Sequence, residues 1–134
     1  MNDLNVCGMG VDIVEVDRIQ NLVDRWEGRF LDRVFCPEEL DYCLSSRNRY
    51  ERLAGRFAAK EAIIKAIGRW VPWKSIAVLP DDKGKPLVYF SPSPAVDGLE
   101  GSGFHVSISH TENYATATAL CVGRRATNGR EASG

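Results

Sequence analysis

The sequence predicts an α+β domain, and three features carry that prediction. Small and apolar residues alternate through positions 6–16, helical spacing follows from 17 to 68, and strand-like runs separated by turn-forming residues fill the region from 75 to 122. At 134 residues the chain fits one domain with a real core. Positions 1–122 make up that domain. The tail, 123–134, has no apolar residue except Ala126 and Ala132 and is expected to stay disordered.

In the first strand Cys7, Met9, Val11 and Ile13 share one side, and Gly8, Gly10, Asp12 and Val14 the other. The second face is nearly bare beside one carboxylate. Its glycines leave room for a ligand to reach the backbone, or else mark a bulge or tight crossing. A helix over 17–35 follows, with Ile19, Val23, Trp26, Phe30 and Val34 as its apolar stripe. At about 100° per residue, Arg18, Arg25, Arg29 and Arg33 fall within roughly 80° of one another. With Leu22 between them, they form either a solvated face or a docking surface for an acidic partner.

Pro37 is tolerated in the first turn of a second, short helix over 37–46, where Leu40, Tyr42 or Cys43, and Leu44 are candidate core contacts. A third helix restarts near Tyr50 and runs to Gly68, a residue suited to the left-handed position past a helix end. Glu61 and Lys65, four apart, share one of its faces: a surface ion pair, or a metal-binding carboxylate beside a phosphate-binding amine. Trp70-Val71-Pro72-Trp73 makes a rigid aromatic connection. Strands over 75–79 and 87–90 flank an Asp-, Gly- and Pro-rich turn; 91–103 reads as a surface loop; strands over 104–109 and 115–122 flank a second turn.

A formal net charge of -1 gives no global pull toward nucleic acid or membrane, so no partner of either kind is expected. The chain has no run of about 18 apolar residues and no basic-then-apolar leader pattern, which predicts a cytoplasmic protein. Four scattered cysteines and two histidines predict reduced, mostly buried thiols and no zinc site. Ser107, Ser109 and His110 lack a nucleophile elbow, and no phosphate-binding loop or dinucleotide fingerprint is present. What remains is Asp12 and Glu61 with Arg56, Lys60, Lys65 and His110, a set suited to a hard divalent cation and phosphate, hence to metal-assisted phosphoryl chemistry.

Three segments, in order, sharpen this. Gly10-Val11-Asp12-Ile13-Val14-Glu15-Val16-Asp17-Arg18-Ile19, Arg56-Phe57-Ala58-Ala59-Lys60-Glu61-Ala62-Ile63-Ile64-Lys65-Ala66 and Val106-Ser107-Ile108-Ser109-His110-Thr111 resemble the three motifs of the holo-acyl-carrier-protein synthases, the short bacterial group of 4'-phosphopantetheinyl transferases. The resemblance covers nearly the whole chain to about residue 122. It implies an α+β fold with an antiparallel sheet packed by helices, assembled as a homotrimer with active sites between subunits. It also implies transfer of phosphopantetheine from coenzyme A to a serine of apo acyl carrier protein, in fatty acid biosynthesis, with release of adenosine 3',5'-bisphosphate.

The resemblance further implies magnesium held by Asp12 and Glu61, with Lys65 stabilising the attacked phosphate. Arg56, Lys60, Ser109 and His110 would line the coenzyme A nucleotide or phosphates. A metal-bound water or a carboxylate such as Glu61 would take the serine proton. Carrier protein would dock on the arginine face, where Arg18 matches the motif itself and Leu22, Arg25, Arg29 and Arg33 follow from the helical geometry. Two other readings are a coenzyme A-binding module without transfer, and an oligomerisation module using Trp26 and Trp70.

Overall fold

The computed structural model describes residues 4–26, 28–99 and 102–124. Strand β1 (Leu4–Glu15) is followed by helices α1 (Val16–Trp26), α2 (Gly28–Val34), α3 (Pro37–Leu44) and α4 (Arg49–Ile67), then by strands β2 (Ile76–Pro80), β3 (Pro86–Phe90), β4 (Gly103–His110) and β5 (Tyr114–Arg124). Helix α4 ends as its composition requires: Gly68 takes φ 86° and its N–H donates to the Ile64 carbonyl at 3.0 Å. The helical region expected over 17–35 is present as α1 and α2, with Glu27 between them outside the described residues.

Strands β1, β5 and β4 form an antiparallel sheet in that order, while β2 and β3 form a separate antiparallel pair. In the larger sheet β5 is central, paired with β1 from Arg124 to Tyr114 and with β4 from Val122 to Ala115. Pairing thus continues through Gly123 and Arg124, two residues beyond the expected domain end, because ladder hydrogen bonds use backbone groups and need no apolar side chain. The rest of the expected tail, 125–134, lies outside the described residues.

Helix α4 lies on the inner face of this sheet. Ala54, Ala58, Ala59, Ala62 and Ala66 are buried against Ala115, Ala117, Ala119 and Cys121 of β5 and Val106 of β4 in one core. Small side chains on both elements let helix and sheet approach closely. The glycines of β1 take this to its limit. A Cβ at Gly8 would sit 1.9 Å from the Ala66 carbonyl oxygen, and one at Gly10 would sit 2.0 Å from that of Ala62. The bare face of β1 is therefore filled by helix backbone and not by a ligand, which corrects the ligand-approach reading of Gly8 and Gly10.

The larger apolar side chains of β1 face outward instead: Met9 is 66% exposed, Val11 59% and Ile13 66%. Elsewhere the expected stripe of the first helices holds in part, with Ile19 and Val34 buried, Val23 and Phe30 partly buried, and Trp26 exposed. In α3, Cys43 is in the core but Leu44 is exposed, and the residue that goes in is Glu39, with no exposed surface. The 91–103 region is more than a surface loop: Pro94–Val96 is a 3-10 helix, Val96 is buried, and Arg69 Nη2 donates to the Asp97 carbonyl at 2.7 Å. All four cysteines are free. Cys43 and Cys121 are buried, with Cys7 exposed and its Sγ 2.7 Å from that of Cys121.

Candidate active site

The glycine contacts set where the two candidate carboxylates meet. Moving from Gly8 to Gly10 along β1 carries the contact from Ala66 back to Ala62, so strand and helix run antiparallel. Two strand residues advance about 6.7 Å and four helix residues about 6 Å, so the match persists for another step. Asp12 then comes level with Ala58, less than one helical turn before Glu61. Both carboxylates line one cavity of about 820 Å3.

The walls of that cavity come from four elements and one connection. Asp12, Ile13 and Val14 belong to β1; Arg18, Leu22 and Trp26 to α1; Arg29, Phe30, Arg33 and Val34 to α2; Phe57 and Glu61 to α4; and Trp73 to the α4–β2 connection. The lining thus combines two carboxylates, three guanidiniums and apolar side chains that include Leu22, Phe30, Phe57 and Trp73. Such a cavity suits a ligand with an anionic part and an apolar arm.

Lys65 does not pair with Glu61. Its Nζ donates to the Val11 carbonyl at 2.9 Å and lies 3.4 Å from Asp12 Oδ1, with the lysine side chain 57% exposed and that of Asp12 18%. An ion pair so exposed adds little to stability, which leaves the ammonium available to an incoming anion beside Asp12. Glu61 accepts a hydrogen bond on Oε2 from Trp73 Nε1 at 3.0 Å.

Lys60 is a different case and corrects an expectation. It has no exposed surface, and its Nζ donates to Glu39 Oε1 at 2.6 Å, the Val34 carbonyl at 2.6 Å and the Trp73 carbonyl at 3.1 Å. An ammonium has three protons, and all three are used, so nothing is left for a nucleotide. Desolvation pulls its pKa below the ordinary lysine value, and the Glu39 carboxylate opposes that shift. Glu39 is as well satisfied, accepting on Oε1 from the Cys36 N–H at 3.0 Å and on Oε2 from the Val78 N–H at 2.7 Å. The pair ties the end of α2, the start of α3, helix α4, strand β2 and the Trp73 segment together.

The other expected residues divide. Arg18, Leu22, Arg29 and Arg33 line the cavity, whereas Arg25 lies to one side in a shallower depression with Trp26, Gly28, Arg29 and Asp32. Arg25 and Arg29 both stand over the Trp26 ring, at 5.8 and 5.2 Å. Arg56 does not line the cavity: it is 7% exposed, its guanidinium lies 4.5 Å from the Tyr42 ring centroid, and its buried Nε has no partner. Ser109 and His110, at the exposed end of β4, do not line it either. Trp73 and Phe57 line the cavity and were left unassigned from the sequence; the signal for Trp73 was the aromatic pair flanking Val71-Pro72.

The donor set is compatible with magnesium. Among the described residues no group of three or more His, Cys, Asp or Glu could hold a metal, so the protein offers two carboxylates at an open cavity. Mg2+ takes this arrangement well, because it retains water and phosphate oxygens in its shell and rarely sits in an all-protein cage.

Comparison with known proteins gives the family. Residues 8–119 match the family model described as the 4'-phosphopantetheinyl transferase superfamily. A holo-[acyl-carrier-protein] synthase of Halothermothrix orenii is 47% identical over 117 residues, covering 82% of this chain and 92% of the relative. The synthase of Koribacter versatilis is 44% identical over 121 residues, covering 86% and 97%. Among solved structures, the Bacillus anthracis holo-(acyl-carrier-protein) synthase in complex with CoA (3',5'-ADP) superimposes with a TM-score of 0.75 at 32% identity, covering 88% of this chain and 97% of that one. The chain belongs to the 4'-phosphopantetheinyl transferase superfamily, among the holo-[acyl-carrier-protein] synthases.

Proposed function

We propose that the chain transfers the 4'-phosphopantetheine group of coenzyme A to a serine of apo acyl carrier protein, with magnesium as the metal and a homotrimer as the working assembly. The observation that carries this reading is that Asp12, which pairs with Lys65, and Glu61 line one cavity together with Arg18, Arg29 and Arg33. In the reaction the serine Oγ forms a bond to the phosphorus next to pantetheine, the pyrophosphate P–O bond breaks, and adenosine 3',5'-bisphosphate leaves.

Asp12 and Glu61 would hold magnesium, which when bound neutralises charge on the pyrophosphate. Lys65 adds a positive charge beside Asp12, placed to stabilise the phosphate under attack. Arg18, Arg29 and Arg33, with Leu22 among them, present cations and an apolar contact to an acidic carrier, so its serine is delivered to the cavity they line. Phe30, Phe57 and Trp73 give the pantetheine arm an apolar wall and limit water beside the reacting phosphate.

The outward apolar row of Val6, Met9, Val11 and Ile13 supports assembly, since contiguous exposed apolar side chains on a sheet are costly in water. In a trimer, Ser109, His110 and Arg56 would contribute to a nucleotide pocket shared with a neighbouring copy. Free cysteines suit a reducing, cytoplasmic setting, and among the described residues no helix is long and apolar enough to cross a membrane. Incubation with coenzyme A, magnesium and apo acyl carrier protein should raise the carrier's mass by one phosphopantetheine group. An unmodified carrier, with coenzyme A still bound, would favour a binding module instead.

A further inference from the structure

The indole N–H of Trp73 has no part in the reaction as set out above, yet it is aimed at a residue that does. We infer that Trp73 is a positioning residue for Glu61, holding one carboxylate oxygen so that the other is turned to the metal. This rests on the reading of Asp12 and Glu61 as magnesium ligands. Trp73 Nε1 lies 3.0 Å from Glu61 Oε2, and both side chains line the cavity. Indole N–H is a donor only, so Trp73 itself cannot ligate a cation. Its contribution is to the orientation of a partly buried glutamate whose several side-chain torsions would otherwise be less restricted.

A positioning group must itself be held, and Trp73 is held at both ends. Its ring packs against Phe57 at 5.9 Å and meets Trp70 edge-on at 5.0 Å with an 86° interplanar angle. Its carbonyl accepts from Lys60 Nζ at 3.1 Å, and that ammonium is fixed in turn by the buried Glu39 carboxylate at 2.6 Å. The Ser75 N–H donates to the Pro72 carbonyl at 2.9 Å and closes the 3-10 turn Trp73–Ser75 around the same residue. A continuous path thus runs from the Glu39–Lys60 pair through the Trp73 backbone and indole to Glu61. Groups that orient ligating carboxylates in this way affect metal affinity by about 10–100-fold when removed.

The test uses the full-length protein with Mn2+ as the probe, free Mn2+ being followed by electron paramagnetic resonance in the presence of coenzyme A. Trp73→Phe retains an aromatic ring and loses the N–H. It is expected to bind Mn2+ about 10-fold more weakly or worse, and to need correspondingly more Mg2+ for turnover. Glu61→Gln should also bind more weakly. Wild-type affinity in Trp73→Phe, with Glu61→Gln weakened, overturns the inference and leaves the metal reading intact. No Mn2+ binding by wild type, or wild-type binding by Glu61→Gln, overturns both.

A second measurement stands even if Trp73→Phe does not fold. In 15N-labelled wild type, with the indole signals assigned through Trp26→Phe and Trp70→Phe, the Trp73 N–H resonance should move on addition of Mg2+ with coenzyme A. It should not move in this way in Glu61→Gln. A Trp73 resonance that ignores both the metal and the Glu61 substitution overturns the inference.

Discussion

Replacing Lys60 by methionine should cost about 3–5 kcal/mol of stability, the range found when one member of a buried ion pair is removed. Methionine fills much of the same volume, so the loss is electrostatic. Three acceptors lose their donor at once: the Glu39 carboxylate, left as a buried charge, and the carbonyls of Val34 and Trp73. The carboxylate dominates, because an unpaired buried charge costs more than an unpaired carbonyl, and the three penalties are not additive. At this chain length a loss of that size corresponds to a fall in Tm of about 10–20 °C. Thermal melting by circular dichroism, at fixed protomer concentration so that assembly does not confound the comparison, reads this directly. Adding Glu39→Gln to Lys60→Met should recover about 2 kcal/mol, because the amide removes the buried charge and can still accept from the Val78 N–H. A single variant within about 1 kcal/mol of wild type, or a double variant worse than the single, would refute the reasoning.

Two further predictions follow from the site. Gly10→Ala places a Cβ 2.0 Å from the Ala62 carbonyl oxygen, so α4 must move off β1; a loss of at least about 3 kcal/mol by urea denaturation is expected, and wild-type stability would contradict the packing account. Arg18→Glu with Arg29→Glu should weaken carrier binding at least about 10-fold at low salt and more than it weakens coenzyme A binding; Arg25→Glu, outside the cavity, should do much less. Surface plasmon resonance for the carrier and calorimetry for coenzyme A separate the two, and equal losses of both ligands would count against a docking face.

Much of the fold was legible because local signals were strong. Alternation marked β1, Pro37 began α3, Gly68 ended α4, and the Asp81–Gly84 turn, with Asp81 Oδ1 accepting from the Lys83 and Lys85 N–H groups, marked the β2–β3 connection. What periodicity could not show was which face turned inward. In β1 the glycine side, read as open to a ligand or else as a bulge or tight crossing, faces α4, since helix backbone can come that close only where there is no Cβ, and the side bearing Met9, Val11 and Ile13 is left exposed. Lys60 was read as a nucleotide contact and Glu39 was left unassigned for a related reason. Charged residues are rarely buried, and the partner that makes burial tolerable lies 21 positions away in sequence. The contact of Lys65 with Asp12, 53 positions earlier, was visible only once the strand lay on the helix.

The central claim is that Asp12 and Glu61 form one metal-dependent transferase site, and mass spectrometry of apo acyl carrier protein tests it most directly. With coenzyme A and Mg2+, wild type should add one phosphopantetheine mass to the carrier, and a chelator should stop the addition until Mg2+ is restored in excess. Asp12→Ala and Glu61→Ala, both folded by circular dichroism, should each leave the carrier unmodified. Undiminished transfer in the presence of chelator, or normal turnover by either folded variant, would contradict the account.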